Sequence, residues 1–206
     1  MEILDISRTI IEGMPVWPGD EKYHQLQTSR ISRGDSYNLS GVSMSLHAGT
    51  HLDAPLHFLE SGADITGVSL DHCLGSARVM DVVGEPRITA SVLSRLDFGD
   101  VCRVLFKTGA PEVPGDAFDP NFVFLADDAA DFLAQKELIL IGIDSPSIDA
   151  FDSNTHHAHK TLLSRGIAVL EGLRLTGVEA GDYELVCLPL KFLGADGSPV
   201  RAILRR

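Results

Sequence analysis

Basic charge is in short supply in this sequence, and so are cysteine, tryptophan and long apolar runs. Lysine and arginine together number 17 against 29 aspartates and glutamates, for a net charge of −12. That balance argues against nucleic acid and against anionic membrane surfaces as partners. It says little about a substrate, because a metal pocket can be locally positive in an acidic protein. The three cysteines, Cys73, Cys102 and Cys187, sit far apart and form no C-x-x-C pair. Cys102 and Cys187 fall inside apolar runs and read as small buried hydrophobes, a usage that suits a reducing compartment. No apolar run approaches the length of a membrane span. The stretch Met1-Glu2-Ile3-Leu4-Asp5 puts no basic region ahead of an apolar one, so no signal peptide is expected and the cytoplasm is the default location. Three catalytic signatures are also missing. There is no G-x-S-x-G elbow for a serine hydrolase, no glycine-rich phosphate loop with lysine, and no G-x-G-x-x-G after a strand.

What remains is a chain of 206 residues, expected to form one domain over 1–206. Such a chain buries an adequate core without disulfides or metal staples. A bound metal would therefore serve function rather than folding.

The strongest signal is Leu46-His47-Ala48-Gly49-Thr50-His51-Leu52-Asp53-Ala54-Pro55-Leu56-His57-Phe58. Three histidines and an aspartate fall within eleven positions, at spacings of four, two and four. Gly49 and Pro55 disfavour a regular helix. In an extended chain, residues two apart share a face, so His47, His51 and Asp53 are expected to point the same way. His57 would follow on the turn after Pro55. Imidazoles and a carboxylate converging without thiolate suit a borderline metal such as zinc or manganese. A merely solvated polar strand face would not be flanked by Leu46 and Phe58.

Around this motif the chain reads as alternating strands and short helices. Val42, Met44 and Leu46 alternate with polar residues and predict a strand running directly into the motif. Trp17, in the fixed loop Pro15-Val16-Trp17-Pro18-Gly19-Asp20, reads from composition as a packing anchor rather than a pocket wall. A helix capped by Thr89 is predicted over 89–96, a buried strand over 101–107, a proline-rich loop over 109–120, and an amphipathic helix over 126–136. Leu138–Ile143 is apolar on both faces and should lie centrally in a sheet. It ends in Asp144, which reads as a turn cap or a supporting residue more than as a ligand. In His156-His157-Ala158-His159, two histidines read as solvated, while His159 begins a helix. Glu171 interrupts an apolar strand, and a buried carboxylate there would need a cation beside it; otherwise the strand is an edge with Glu171 facing water. Strands over 184–190 and 199–204, with a turn at 195–198, close the chain. The pattern predicts an α/β or α+β domain with a mixed sheet.

His47-Ala48-Gly49-Thr50-His51-Leu52-Asp53-Ala54-Pro55-Leu56-His57 matches the H-x-G-T-H-x-D-x-P-x-H signature, and by it the chain resembles the cyclase-like metal-dependent amidohydrolases, most of all their bacterial kynurenine formamidases. The likeness extends to Asp5-Ile6-Ser7, Trp17-Pro18-Gly19-Asp20, Asp144-Ser145-Pro146-Ser147-Ile148-Asp149, Leu170-Glu171-Gly172-Leu173 and Gly197-Ser198-Pro199-Val200-Arg201-Ala202. The resemblance implies an α/β fold with a barrel-like mixed sheet and short helices, of the swivelling β/β/α type. It implies a homodimer with two zinc ions per subunit, manganese being an alternative. His47, His51, Asp53, His159 and Glu171 would be the ligands, His159 being the histidine twelve residues before Glu171. Five protein ligands exceed what one tetrahedral zinc takes. His57 would be the acid/base residue, and Trp17 would line the substrate pocket, against its compositional reading. The implied substrate is N-formylkynurenine, hydrolysed to kynurenine and formate. Other amides, cyclic imides or lactam-like rings, or a non-catalytic metal-binding role, are the alternatives.

Overall fold

The computed structural model describes residues 2–111 and 118–206. Eleven strands are formed: β1 (Ile3–Asp5), β2 (His24–Ser29), β3 (Leu39–Ser43), β4 (His51–Asp53), β5 (Leu74–Asp81), β6 (Arg103–Lys107), β7 (Leu140–Ile143), β8 (Ala168–Glu171), β9 (Gly181–Val186), β10 (Gly197–Pro199) and β11 (Ile203–Arg205). Among the described residues four short helices accompany them: α1 (Leu70–Cys73), α2 (Ala90–Leu93), α3 (Asp127–Leu133) and α4 (His157–Ser164).

Nine strands make one mixed sheet in the order β1-β11-β9-β5-β6-β7-β8-β4-β10, curled into a half-barrel. The central strands β5, β6, β7 and β8 are parallel, and all other pairings are antiparallel. α2, α3 and α4 fall in the connections between those parallel strands and pack on one face of the sheet. There Phe106, Ile141, Ile143 and Val169 meet Ala129, Leu133 and Leu162. On the other face Leu105, Leu140 and Leu170 meet Ile6, Leu52 and Leu204. β7 is thus buried on both sides, as its unbroken apolar sequence requires. Gly142 lies where a Cβ would strike the Leu105 and Leu173 side chains.

Local signals account for most elements. Thr89 caps α2 by accepting from the Val92 amide at 3.2 Å. α3 carries Asp127 and Asp128 in its first turn, where the helix dipole favours acids. It stops at Leu133, short of the predicted end, and Lys136 lies beyond it over the Phe98 and Phe132 rings. Cys73 and Cys187 are buried, whereas Cys102 is only half-buried. The predicted loop over 109–120 lies partly outside the described residues. No described helix is long and apolar enough to cross a membrane.

Two expectations fail for non-local reasons. β2 and β3 form a separate hairpin, with Leu26 58% and Val42 64% exposed. β3 ends at Ser43, so of the alternation at 42–46 only Val42 and Ser43 are strand, in this hairpin, and no strand runs from it into the histidine motif. The expected turn at 195–198 overlaps β10, which pairs Gly197 with Asp53 and Pro199 with His51. That pairing is set by β4, nearly 150 residues away in sequence, and leaves no local signature.

Candidate metal centre

β4 is an interior strand between β8 and β10, and His51 stands opposite Glu171 in register. Glu171 is therefore not on an edge facing water; it is buried. His51 and Asp53, two apart on β4, share a face as predicted. The Gly49 carbonyl lies 3.0 Å from His51 Nδ1. That contact turns Nε2 toward Asp53 Oδ1 at 3.4 Å and Glu171 Oε2 at 3.3 Å. Gly49 (φ +73°) and Gly172 (φ +64°) both use left-handed backbone. A Cβ on Gly172 would collide with the Gly49 carbonyl. The Thr50 hydroxyl donates to Gly172 O at 2.6 Å and ties the same two segments together.

His159 enters from the first turn of α4. Asp149 accepts from the Ala158 and His159 amides at 3.0 and 3.2 Å, and its Oδ2 lies 2.6 Å from His159 Nδ1. His159 Nε2 is thereby aimed at Glu171 Oε1, 3.0 Å away, and Asp53 Oδ2, 3.2 Å away. The Phe58 ring stacks on His159 with centroids 4.2 Å apart.

His47 is a correction. It lies in the irregular turn between β3 and β4 rather than on a strand face, because the left-handed Gly49 breaks the extended run. The turn still delivers it: Nδ1 is 2.9 Å from Asp53 Oδ1, and Nε2 is 3.2 Å from Asp196 Oδ2. Gly197 fits against this ring, since a Cβ there would sit 2.6 Å from His47 Cε1. His57 lies in the short 3₁₀ turn Pro55–His57. It stacks on His47 with centroids 3.9 Å apart, and its Nδ1 is 3.4 Å from Asp196 Oδ2. Asp196, read from sequence as an ordinary turn residue, is thus shared by two histidines.

Among the described residues three overlapping groups could hold a metal ion: His47, His51 and Asp53; Asp53, His159 and Glu171; and His47, His57 and Asp196. His156 and His157 belong to none of them. His156 precedes α4 in left-handed backbone, and His157 Nε2 lies 3.0 Å from Asp131. Asp144 acts as a supporting residue rather than as a cap of its own turn, accepting from the Thr108 amide and hydroxyl at 2.9 and 2.7 Å.

The donor set fits a cation. Asp53 Oδ2 and His159 Nε2 are buried without hydrogen-bond partners, although they lie 3.2 Å apart. Buried polar atoms are rarely left so, and two that converge without bonding each other are aimed at a common third body. The electrostatics agree. Burial pushes the His51 imidazole down, but Asp53 and Glu171 outweigh it and raise its pKa to about 10. Burial pushes the Asp53 carboxyl up, yet its contacts with His159, His47 and His51 hold it well below the usual range. Two buried carboxylates require positive charge beside them, whether as protons on imidazole or as a metal ion that displaces those protons.

The cluster opens into a cavity of about 580 Å³. Trp17 lines it, together with Phe118 and Phe122. It also packs on Phe118 and Phe151 with centroids 5.2 and 5.1 Å apart. Trp17 thus both packs in an aromatic group and faces the cavity.

The Cyclase family model matches residues 4–150. A curated kynurenine formamidase from Salinibacter ruber is 42% identical over 207 aligned residues, covering 100% of this chain and 98% of that protein. A solved structure of a predicted metal-dependent hydrolase from Bacillus stearothermophilus is 36% identical with a TM-score of 0.85, covering 98% of this chain and 97% of that one. An isatin hydrolase superposes with a TM-score of 0.83 at 19% identity over 98% of this chain and 91% of that one, a likeness of fold alone.

Proposed function

The chain belongs to the Cyclase family, and from that premise we propose that it is a metal-dependent arylformamidase that hydrolyses N-formylkynurenine to kynurenine and formate. The observation that most supports this reading is the meeting of His51 and Asp53 with His159 and Glu171 from the other half of the chain, in a protein similar from end to end to a kynurenine formamidase.

His47, His51, Asp53, His159 and Glu171 would hold the metal, which we assign as two zinc ions. When bound, the metal supplies a Lewis acid for the amide carbonyl and lowers the pKa of water toward neutrality. The chain's own residues do the rest. Asp149 and Gly49 O fix the ring orientations of His159 and His51. Burial pushes His57 below the ordinary imidazole value, so it is available to take a proton and return it to the departing aniline nitrogen. Asp196 orients His57 from 3.4 Å. Trp17 and its aromatic neighbours supply the apolar wall for an aryl group. Water adds to the formyl carbon, the C–N bond breaks, and the amine leaves with the proton. A homodimer in the cytoplasm is part of the same reading.

A non-catalytic metal module is disfavoured by the open cavity and by His57 beside the ligand cluster. The test is release of the aromatic amine from N-formylkynurenine, followed by absorbance with and without chelator. No turnover by the metal-loaded protein contradicts the reading.

A further inference from the structure

Arg8 is the one lysine or arginine among the described residues that line the cavity. Asp20, Asp119, Asp149, Glu171 and Asp196 line the same space, so apart from histidines its other ionisable side chains are carboxylates. Arg8 extends from the segment after β1. Its amide donates to Thr50 Oγ1 at 2.8 Å. Its guanidinium donates only to backbone carbonyls: Nε to Gly172 at 3.1 Å, Nη1 to Pro111 at 3.1 Å and Nη2 to Asp144 at 2.7 Å. A guanidinium carries five N–H groups in a fixed fork, so among the described residues one on each Nη is left over. No ion pair joins Arg8 to a carboxylate among the described residues. Asp144 acts on it from a distance, its carboxylate being turned onto Thr108 and Gly109. Burial still pushes the guanidinium below its ordinary value despite Asp144.

A partly buried cation held by three carbonyls, with two donors unused and no carboxylate in contact among the described residues, has the make-up of a preformed anion receptor. We propose that Arg8 is a specificity residue that receives the carboxylate of an amino-acid-bearing substrate through its two unused Nη donors. The proposal rests on the formamidase reading above: N-formylkynurenine carries an α-carboxylate remote from its formamide. The backbone contacts set the fork in place before substrate arrives, so little ordering is needed on binding.

The test compares N-formylkynurenine with N-formylkynurenamine, the same formamide without the carboxylate. In the metal-loaded protein, Arg8→Gln should lower the ratio of kcat/KM for the acid to kcat/KM for the amine by about 10–100-fold, the value of a hydrogen bond to a charged group. The loss should appear mainly in KM for the acid, and Arg8→Lys should recover part of it. An unchanged ratio overturns the proposal, whether both values fall together, as for a purely structural strap, or neither moves. A second readout needs no turnover. Quenching of Trp17, the one tryptophan in the chain and a cavity residue, should show wild-type protein preferring kynurenine to kynurenamine and Arg8→Gln losing that preference. Equal preference in both proteins overturns the proposal as well. Failure of the underlying reading looks different: the wild type would hydrolyse neither formamide, and the Trp17 titration would still decide whether Arg8 selects a carboxylate.

Discussion

His159 Nδ1 lies 2.6 Å from Asp149 Oδ2, and this pairing leaves His159 Nε2 facing Asp53 and Glu171. The same carboxylate accepts two amides from the first turn of α4. Asp149 therefore sets the position of the helix, the tilt of the ring and its tautomer together. Asp149→Asn should weaken zinc retention and kcat/KM by about 10–100-fold, the usual effect of losing a partner that orients a ligand. Metal analysis after dialysis, beside steady-state kinetics, checks this. Unaltered zinc content and rate would mean that α4 alone orients the ring.

Glu171→Gln should reduce bound zinc and activity together. Glu171 faces His51 and His159 across 3.3 and 3.0 Å, and an amide there is a poor anionic ligand. A Glu171→Gln protein with full zinc and normal turnover would remove Glu171 from the ligand set and the two-metal arrangement with it.

His57→Ala should keep its metal and lose about 10²–10⁴-fold in rate, the typical contribution of general acid–base catalysis. His51→Ala should lose metal. His57 also falls within one of the three groups able to hold an ion, so the zinc content of the His57→Ala protein discriminates directly. Loss of zinc there would make His57 a ligand.

Much of this site could be read from the chain because its signals are local. The period of two puts His51 and Asp53 on one face, and Pro55 turns His57 away from the strand. The apolar neighbours of Glu171 announce its burial. What could not be read depends on distant pairing. Asp196 reaches His47 and His57 only because β10 pairs with β4, and four residues around a turn cannot encode that. His47 meets Asp53 as the spacing predicts, but by way of a turn with a left-handed Gly49 and not by a shared strand face. Asp149 was visible within the run 144–149, but its partner His159 became apparent only once α4 was seen to begin against it. β2 leaves no signature because its sequence His24-Gln25-Leu26-Gln27-Thr28-Ser29 is mostly polar and carries no apolar alternation.

Gly172→Ala should destabilise the fold and disturb the metal site. Left-handed backbone costs a non-glycine residue about 1–2 kcal/mol, and the added methyl would also meet the Gly49 carbonyl. Denaturant midpoints should fall, and zinc affinity should fall with them, since Gly49 and Thr50 carry His51. A variant with unchanged midpoint and zinc content would show that the two segments can separate without consequence.

The central claim is that a core able to stand without metal presents a donor set that works only with it. The most direct measurement is exhaustive chelation, followed in one sample by N-formylkynurenine turnover and far-ultraviolet circular dichroism. The account predicts that turnover is abolished while the dichroism stays native, and that added zinc restores the rate. Turnover that survives complete metal removal, or a chain that unfolds when the metal leaves, would contradict it.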